Sequence, residues 1–443
     1  MSAPVRENAR RLAVDAVIRV VRDGLALALE ESRLALLSPM DRALALEIAA
    51  GTVRHLTLLD AVLDGCMARP LPRGRHFLRV VLRTALYQAL FLRIPARAAL
   101  HQAVELVKAS PEHAKAGFVN AVLRTAVTRT PASVLASIAA PVARLAVEYS
   151  HPEWLVARWY RALGEEGTRA RLQANQEVAP LVLRVNGLKI DRSGLLAALA
   201  GRGMAHPWAP EGVIVTPSGG VEALPGYREG WFAVQDGSAQ WPARLLDPQP
   251  EEEILDLCAA PGGKSMQLAA LCKDQARILA VDSSAHRLQR VDENRARLGV
   301  RGVTTLAGDA TDETLLAGRS FHRILADLPC SGTGVIRRHP EIKWRRQEAD
   351  IERQAQLQLA ILENGARHLR PGGTLVYAVC SLEPEEGEGV IETFLAHHPQ
   401  WRRAPVEPRE GVPLQAITAA GDLRFEPARD RMDGFFIARL KNH

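Results

Sequence analysis

Five short apolar segments, spaced through the last two-fifths of the chain and separated by helical stretches, constrain this sequence more than any other feature. They are Glu-Ile-Leu-Asp-Leu-Cys (253–258), Arg-Ile-Leu-Ala-Val-Asp (277–282), Gly-Val-Thr-Thr-Leu-Ala-Gly-Asp (302–309), Arg-Ile-Leu-Ala-Asp-Leu-Pro (323–329) and Thr-Leu-Val-Tyr-Ala-Val-Cys (374–380). Runs apolar on both faces and joined by helices belong to a mostly parallel sheet covered on both sides. In such sheets ligands bind beyond the carboxyl ends of the strands. Asp282, Asp309, Asp327 and Cys380 all fall at or just past those ends.

The turn Cys258-Ala259-Ala260-Pro261-Gly262-Gly263-Lys264 joins the first segment to its helix. Gly262 and Gly263 permit left-handed dihedrals and a close backbone approach. The free N–H groups of the following helix can receive a carboxylate, such as that of S-adenosylmethionine (SAM). Gly263-Lys264-Ser265 resembles the end of a nucleotide P-loop, but that pattern needs glycine where Cys258 stands. A GxGxxG fingerprint is absent. Asp282, 26 residues after Asp256, suits two ribose hydroxyls, and Asp309 suits an adenine amino group. Each acid alone reads more readily as a helix cap; two at successive strand ends after a glycine turn reverse that in favour of the ligand.

The remainder divides into two further parts. Residues 1–140 carry helical periodicity, punctuated by Pro70, Pro72, Pro95 and Pro111, and predict a bundle of about five to seven helices. They hold 19 Lys/Arg against 11 Asp/Glu, whereas the other 303 residues hold 37 against 39. A basic module joined to a near-neutral remainder suits a polyanion partner, or simply reflects an arginine-rich composition. Residues 141–245 read as a small mixed α/β segment, and 246–443 as the catalytic part. With no uncharged apolar run of about 18 residues and no apolar leader in Met1–Arg11, a cytoplasmic protein is expected. Five cysteines are too few for a disulfide framework, and no CxxC pair points to a metal.

Two segments carry cysteines to the sheet rim: Asp327-Leu328-Pro329-Cys330-Ser331-Gly332-Thr333-Gly334 and Val379-Cys380-Ser381. One isolated cysteine is most often a small hydrophobe, the reading given to Cys66, Cys258 and Cys272. Two beside an aspartate at one rim suit thiol catalysis.

The glycine turn and these two segments, in this order, resemble the RNA 5-methylcytosine methyltransferases of the Nol1/Nop2/Sun class, in particular the bacterial enzymes of 16S ribosomal RNA. Gly-Phe-Val-Asn-Ala-Val-Leu-Arg (117–124) is similar to their NusB-like RNA-binding domain, and Gln-Asp-Gly-Ser-Ala-Gln (235–240), 333–344 and Asp-Gly-Phe-Phe-Ile-Ala-Arg-Leu (433–440) are similar to other blocks. The resemblance implies a multidomain α plus α/β protein: a NusB-like helical bundle, a small α/β linker and a Rossmann-like SAM-dependent methyltransferase domain. It implies that Cys258 to Lys264 line the SAM pocket, with Asp282 on the ribose, Asp309 near the adenine and Asp327 where cofactor and base meet. It makes Cys380 the nucleophile and Cys330 the group assisting proton removal or product release; the residues alone do not rank the two.

A thiol has a chemical reason to be there. C5 of cytosine is a poor nucleophile until a thiolate adds at C6, and the base must leave its stack to be reached. Asp327, three residues from Cys330, is placed to contact N3 and the exocyclic amine. Leu328, Val379, Gly387 and Leu100-His101-Gln102 depart from residues common in the class (Ala, Thr, Asn and Val-Asn-Glu), and the first two flank catalytic residues without replacing them. The run Arg337, Arg338, His339, Lys343, Trp344, Arg345, Arg346 is expected to meet RNA phosphates, with Trp344 stacking on a base or packing in the core. A monomer acting on rRNA is the expected state. The competing readings are a non-catalytic assembly factor and a SAM enzyme acting on a small molecule or protein.

Overall fold

A computed structural model describes residues 8–72, 74–216 and 219–442, without the side chain of Arg409. The stretch before Asn8, read above as lacking a leader, lies outside the described residues. The chain forms two compact units, Met1–Glu177 with Ile336–Arg346, and Val178–Val335 with Gln347–His443. No helix among the described residues is long and apolar enough to cross a membrane.

The first unit is helical. Its longer helices are Ala9–Asp23, Pro39–Arg54, Leu56–Asp64, His76–Phe91, Ala96–Lys108, Ala116–Ala126 and Glu153–Gln176. Local chemistry sets the ends: Asn8 and Ser38 accept from first-turn N–H groups, Pro39 opens its helix, and Gly24 closes the first in the left-handed region. Buried Leu12, Val17, Ile48, Leu59, Val81 and Leu123 make the core.

Residues 336–346 overturn one expectation. The basic run is folded into the helical unit rather than displayed. Lys343 and Arg337 are buried, at 1% and 3% exposure. Lys343 Nζ donates to the Arg54 carbonyl at 2.9 Å, and Trp344 Nε1 to that of Val53 at 2.8 Å. Both carbonyls end the helix Pro39–Arg54, where a donor satisfies an orphan acceptor and a cation meets the negative end of the dipole. Burial pushes the Lys343 ammonium well down, helped by the Arg54 charge. Ile336 and Ile342 pack with Leu145, Leu155 and Trp159. Among the run, His339 and Arg345 are exposed.

The second unit carries two sheets. Strands β1 (Leu181–Val185), β2 (Gly203–Ala205), β3 (Gly212–Val215) and β4 (Phe232–Val234) form an antiparallel sheet in the order β2-β3-β1-β4. The larger sheet contains β5 (Glu253–Leu257), β6 (Arg277–Asp282), β7 (Val303–Ala307), β8 (Phe321–Asp327), β9 (Leu369–Val379), β10 (Trp401–Arg403), β11 (Leu423–Phe425) and β12 (Phe435–Asn442). Its order is β10-β12-β9-β8-β5-β6-β7, with β11 on β12. The five expected strands pair in parallel; β12 runs antiparallel to β9, β10 and β11. Strand β9 includes the Pro-Gly-Gly of 371–373. The switch point falls between β5 and β8, where neighbouring strands lead to crossovers on opposite sides.

Candidate active site

Strand β5 ends in a tight turn. Cys258 has φ 57° and Gly262 φ 92°. A Cβ on Gly262 would meet Val291 at 3.0 Å, so glycine is required there for both dihedral and space; a Cβ on Gly263 would meet nothing within 4 Å. The helix Gly263–Leu271 starts here, and its first N–H groups face outward along the axis. Open space beside Gly263 at a helix N-terminus is what a ligand carboxylate needs.

The turn is held from three directions. Ala259 N–H donates to the Val281 carbonyl (2.8 Å) and Ala260 N–H to Asp282 Oδ2 (3.1 Å). Arg287 donates to the Ala260 carbonyl (2.7 Å), and Asn294 to that of Pro261 (3.0 Å). From β1, buried Arg184 reaches the Gly263 carbonyl at 2.5 Å and also binds Gln235. Its burial lowers the guanidinium to about 10. Asp236 binds Ser238 N–H and Oγ and the Asp433 N–H, which joins the 235–240 and 433–440 blocks.

The two ribose and adenine candidates take local roles as well. Asp282, at the end of β6, is 2% exposed; Oδ1 accepts from Ser284 N–H at 3.0 Å while Oδ2 holds the turn. Asp309 is exposed past β7, its Oδ1 accepting from Thr311 N–H and Oγ1. Cys258 is half-buried, and burial pushes its thiol up to about 12, with Asp282, Asp327 and Asp256 adding to the effect. It therefore lines the turn as a neutral thiol. Cys272 and Cys66 donate to helix carbonyls, as inert cysteines do.

Lys264, at the end of the turn, also reaches the end of β8. Its ammonium pairs with Asp327 Oδ2 at 2.6 Å and lies 5.2 Å from the centroid of the Phe435 ring. Behind this pair lies Asp256, mid-strand and wholly buried, bound by Ser265 Oγ at 2.5 Å. Burial pushes Asp256 up to about 7; the Ser265 bond opposes this, and the Asp327 charge adds to it. A protonated Asp256 spares the site a second buried charge.

Beyond β8 and β9 the two predicted thiols meet. Asp327 is in register with Ala378, and Cys330 Sγ lies 3.2 Å from Cys380 Sγ. Gly334 N–H donates to the Cys380 carbonyl (3.0 Å), and Gly434 N–H to that of Gly334 (2.8 Å). A Cβ on Gly334 would lie 2.2 Å from the Gly434 oxygen, so the two backbones pack with no room for side chains. Cys330 is buried and Cys380 half-exposed. The Cys330 thiol is pushed well up, first by its hydrogen bond with Cys380, then by burial. The accessible sulfur is Cys380, and the one that resists ionisation is Cys330.

A mainly parallel α/β sheet with a glycine turn at the first parallel strand, acids at the next strand ends and two thiols beside an Asp–Lys pair defines a methyltransferase of the RNA-modifying type. Family models match all three parts: the NusB family over 7–128, the ferredoxin-like domain of RsmF/B-like methyltransferases over 151–222, and the 16S rRNA methyltransferase RsmB/F over 243–441. The ribosomal RNA small subunit methyltransferase B of Klebsiella pneumoniae subsp. pneumoniae is 40% identical over 441 residues, 98% of each chain. The crystal structure of PH0851 superposes over 100% of both chains, with TM-score 0.83 and 26% identity. A methyltransferase homolog protein from Pyrococcus horikoshii covers 69% of this chain and 100% of its own, with TM-score 0.60 and 30% identity. The chain belongs to the ribosomal RNA small subunit methyltransferase B family.

Proposed function

We propose that the protein transfers a methyl group from SAM to C5 of a cytosine in 16S rRNA, through a covalent bond from Cys380 to C6. The observation that carries this reading is the pair of sulfurs 3.2 Å apart beside the Lys264–Asp327 ion pair. The names of its relatives support the substrate class.

SAM, when bound, supplies an electrophilic methyl on a sulfonium. For it, the open space at Gly263 and the helix N-terminus would suit the carboxylate, and Asp282 and Asp309 would hold the ribose hydroxyls and the adenine amine. Asp327, paired with Lys264, presents acceptor oxygens to the exocyclic amine, and the ammonium is a donor toward N3. Cys380 Sγ adds to C6, which raises electron density at C5. After methylation the C5 proton leaves with help from Cys330, and elimination frees Cys380. Residues 1–140, 141–245 and 246–443 serve as RNA-binding, linking and catalytic parts, and the protein works as a cytoplasmic monomer.

The test uses labelled SAM, unmodified small-subunit rRNA and nucleoside mapping. Label is expected in 5-methylcytosine; absence of transfer to any RNA would sink the reading.

A further inference from the structure

Each catalytic-site cysteine is followed by a serine, and both serines donate to one buried carboxylate. Glu386, at 0% exposure, lies six residues past Cys380, just before the helix Glu388–His397. Its Oε2 accepts from Ser381 Oγ at 2.6 Å and from Ser331 Oγ. Its Oε1 accepts from Ser331 N–H at 2.7 Å and from Gln358 Nε2 at 3.0 Å. Four donors match the acceptor capacity of an ionised carboxylate. Burial raises Glu386 above its ordinary value, against the smaller opposing effect of the bonds from Ser331, Ser381 and Gln358.

The surrounding groups complete a closed network. Gln358 also donates to the Pro329 carbonyl (2.8 Å), immediately before Cys330. Tyr377 Oη, inside β9, lies 3.0 Å from Gln358 Oε1 and 2.5 Å from the Glu386 carbonyl. Thr333 Oγ1 accepts from Leu382 N–H (2.9 Å), a further direct tie between the Cys330 loop and the segment that follows Cys380. A fully satisfied buried network of this kind rigidifies what it touches. Such a network so close to the thiols has no use in burying apolar surface, and a buried charge costs several kcal/mol unless paired or bonded.

We infer that Glu386 is a positioning residue of the two-thiol site. It clamps Ser331 and Ser381 to fix the distance between Cys330 and Cys380, and it places a negative charge beside Cys330 that leaves Cys380 as the attacking sulfur. The inference rests on the two-thiol reading above. It supplies the physical asymmetry between two cysteines that motif spacing does not rank. The titratable groups that act on Cys330 include Cys380, Glu386 and Tyr377; the hydrogen bond to Cys380, burial and the first two charges raise its thiol, against a smaller lowering by a backbone bond at Gly332.

The test is on thiols and needs neither RNA nor SAM. Full-length wild type and Glu386→Gln are treated with methyl methanethiosulfonate between about pH 7 and 9, and each cysteine is followed by peptide mass spectrometry. Wild type is expected to label first at Cys380. The variant should raise the Cys330-to-Cys380 rate ratio by about fivefold, the change in thiolate fraction for somewhat under one pH unit of acidity. Diamide-driven Cys330–Cys380 cross-linking, which reads spacing, should slow in Glu386→Gln and in Ser381→Ala. The second variant keeps the charge and decides the clamp should the first not fold. Wild-type cross-linking rates and an unchanged labelling ratio in folded variants would overturn the inference. A wild-type protein that behaves as expected here yet methylates no RNA would instead overturn the function proposed above.

Discussion

Replacing Gly334 by alanine tests whether the Cys330 loop is fixed by backbone packing. The new Cβ would lie 2.2 Å from the Gly434 oxygen, 2.7 Å from its carbonyl carbon and 2.9 Å from its Cα. An ordinary contact needs about 1 Å more, and the obstacle is backbone, so no side chain can swing away. Overpacking of one methyl costs about 1–3 kcal/mol, and two backbone hydrogen bonds, Gly334 to Cys380 and Gly434 to Gly334, are disturbed at about 1 kcal/mol each. A loss of about 3–5 kcal/mol is expected, lowering Tm by roughly 6–20 °C for a unit of this size. Because the displaced backbone carries the thiols, methyl transfer should fall further than stability, by about 10²-fold for a 1 Å misplacement. Differential scanning fluorimetry and initial rates measure the two effects. A variant with Tm within about a degree of wild type and full activity would refute the packing argument.

Three further outcomes follow from other residues. Gly263→Ala, whose Cβ meets nothing within 4 Å, should keep Tm and raise KM for SAM by about tenfold if that space belongs to the cofactor; unchanged KM would place the cofactor elsewhere. Asp256 has its carboxyl raised to about 7, so the folded state holds a proton that the unfolded state releases near pH 4, and stability falls as pH rises through about 4 to 7, by at most about 1.4 kcal/mol per pH unit. Asp256→Asn should flatten that slope in denaturant titrations, and an undiminished slope would contradict the burial argument. Lys343 is lowered by burial, so folding releases a proton and stability falls as pH drops below about 10.4. Lys343→Met should reduce that loss and leave the salt dependence of RNA binding unchanged, whereas a lower salt slope would restore Lys343 as a phosphate contact.

The residues legible in the sequence were those whose role is local. The parallel strands, the glycine turn and both cysteines follow from apolar runs, required dihedrals and strand ends. Asp256 escaped notice because an acid in the middle of a fully buried strand looks like a flaw in the pattern until Ser265 and its neighbours are placed around it. Glu386 stands in Glu-Pro-Glu-Glu-Gly, a stretch that reads as solvated loop; its only sequence trace is the serine after each cysteine. The basic run misled for the opposite reason. Charge predicts solvent or phosphate, but the carbonyls at the end of the helix Pro39–Arg54 offer Lys343 and Trp344 an interior destination. β10 to β12 are short or late and pair over long separations, so no local period announced the antiparallel half of the sheet.

The central claim is that Cys380 attacks and Cys330 releases. The most direct measurement incubates Cys380→Ala and Cys330→Ala variants with SAM and unmodified small-subunit rRNA and looks for a denaturation-resistant protein–RNA adduct. The account predicts an adduct with Cys330→Ala, and neither adduct nor methylation with Cys380→Ala. An adduct that forms in Cys380→Ala and is lost in Cys330→Ala would contradict it, and would assign attack to the buried sulfur.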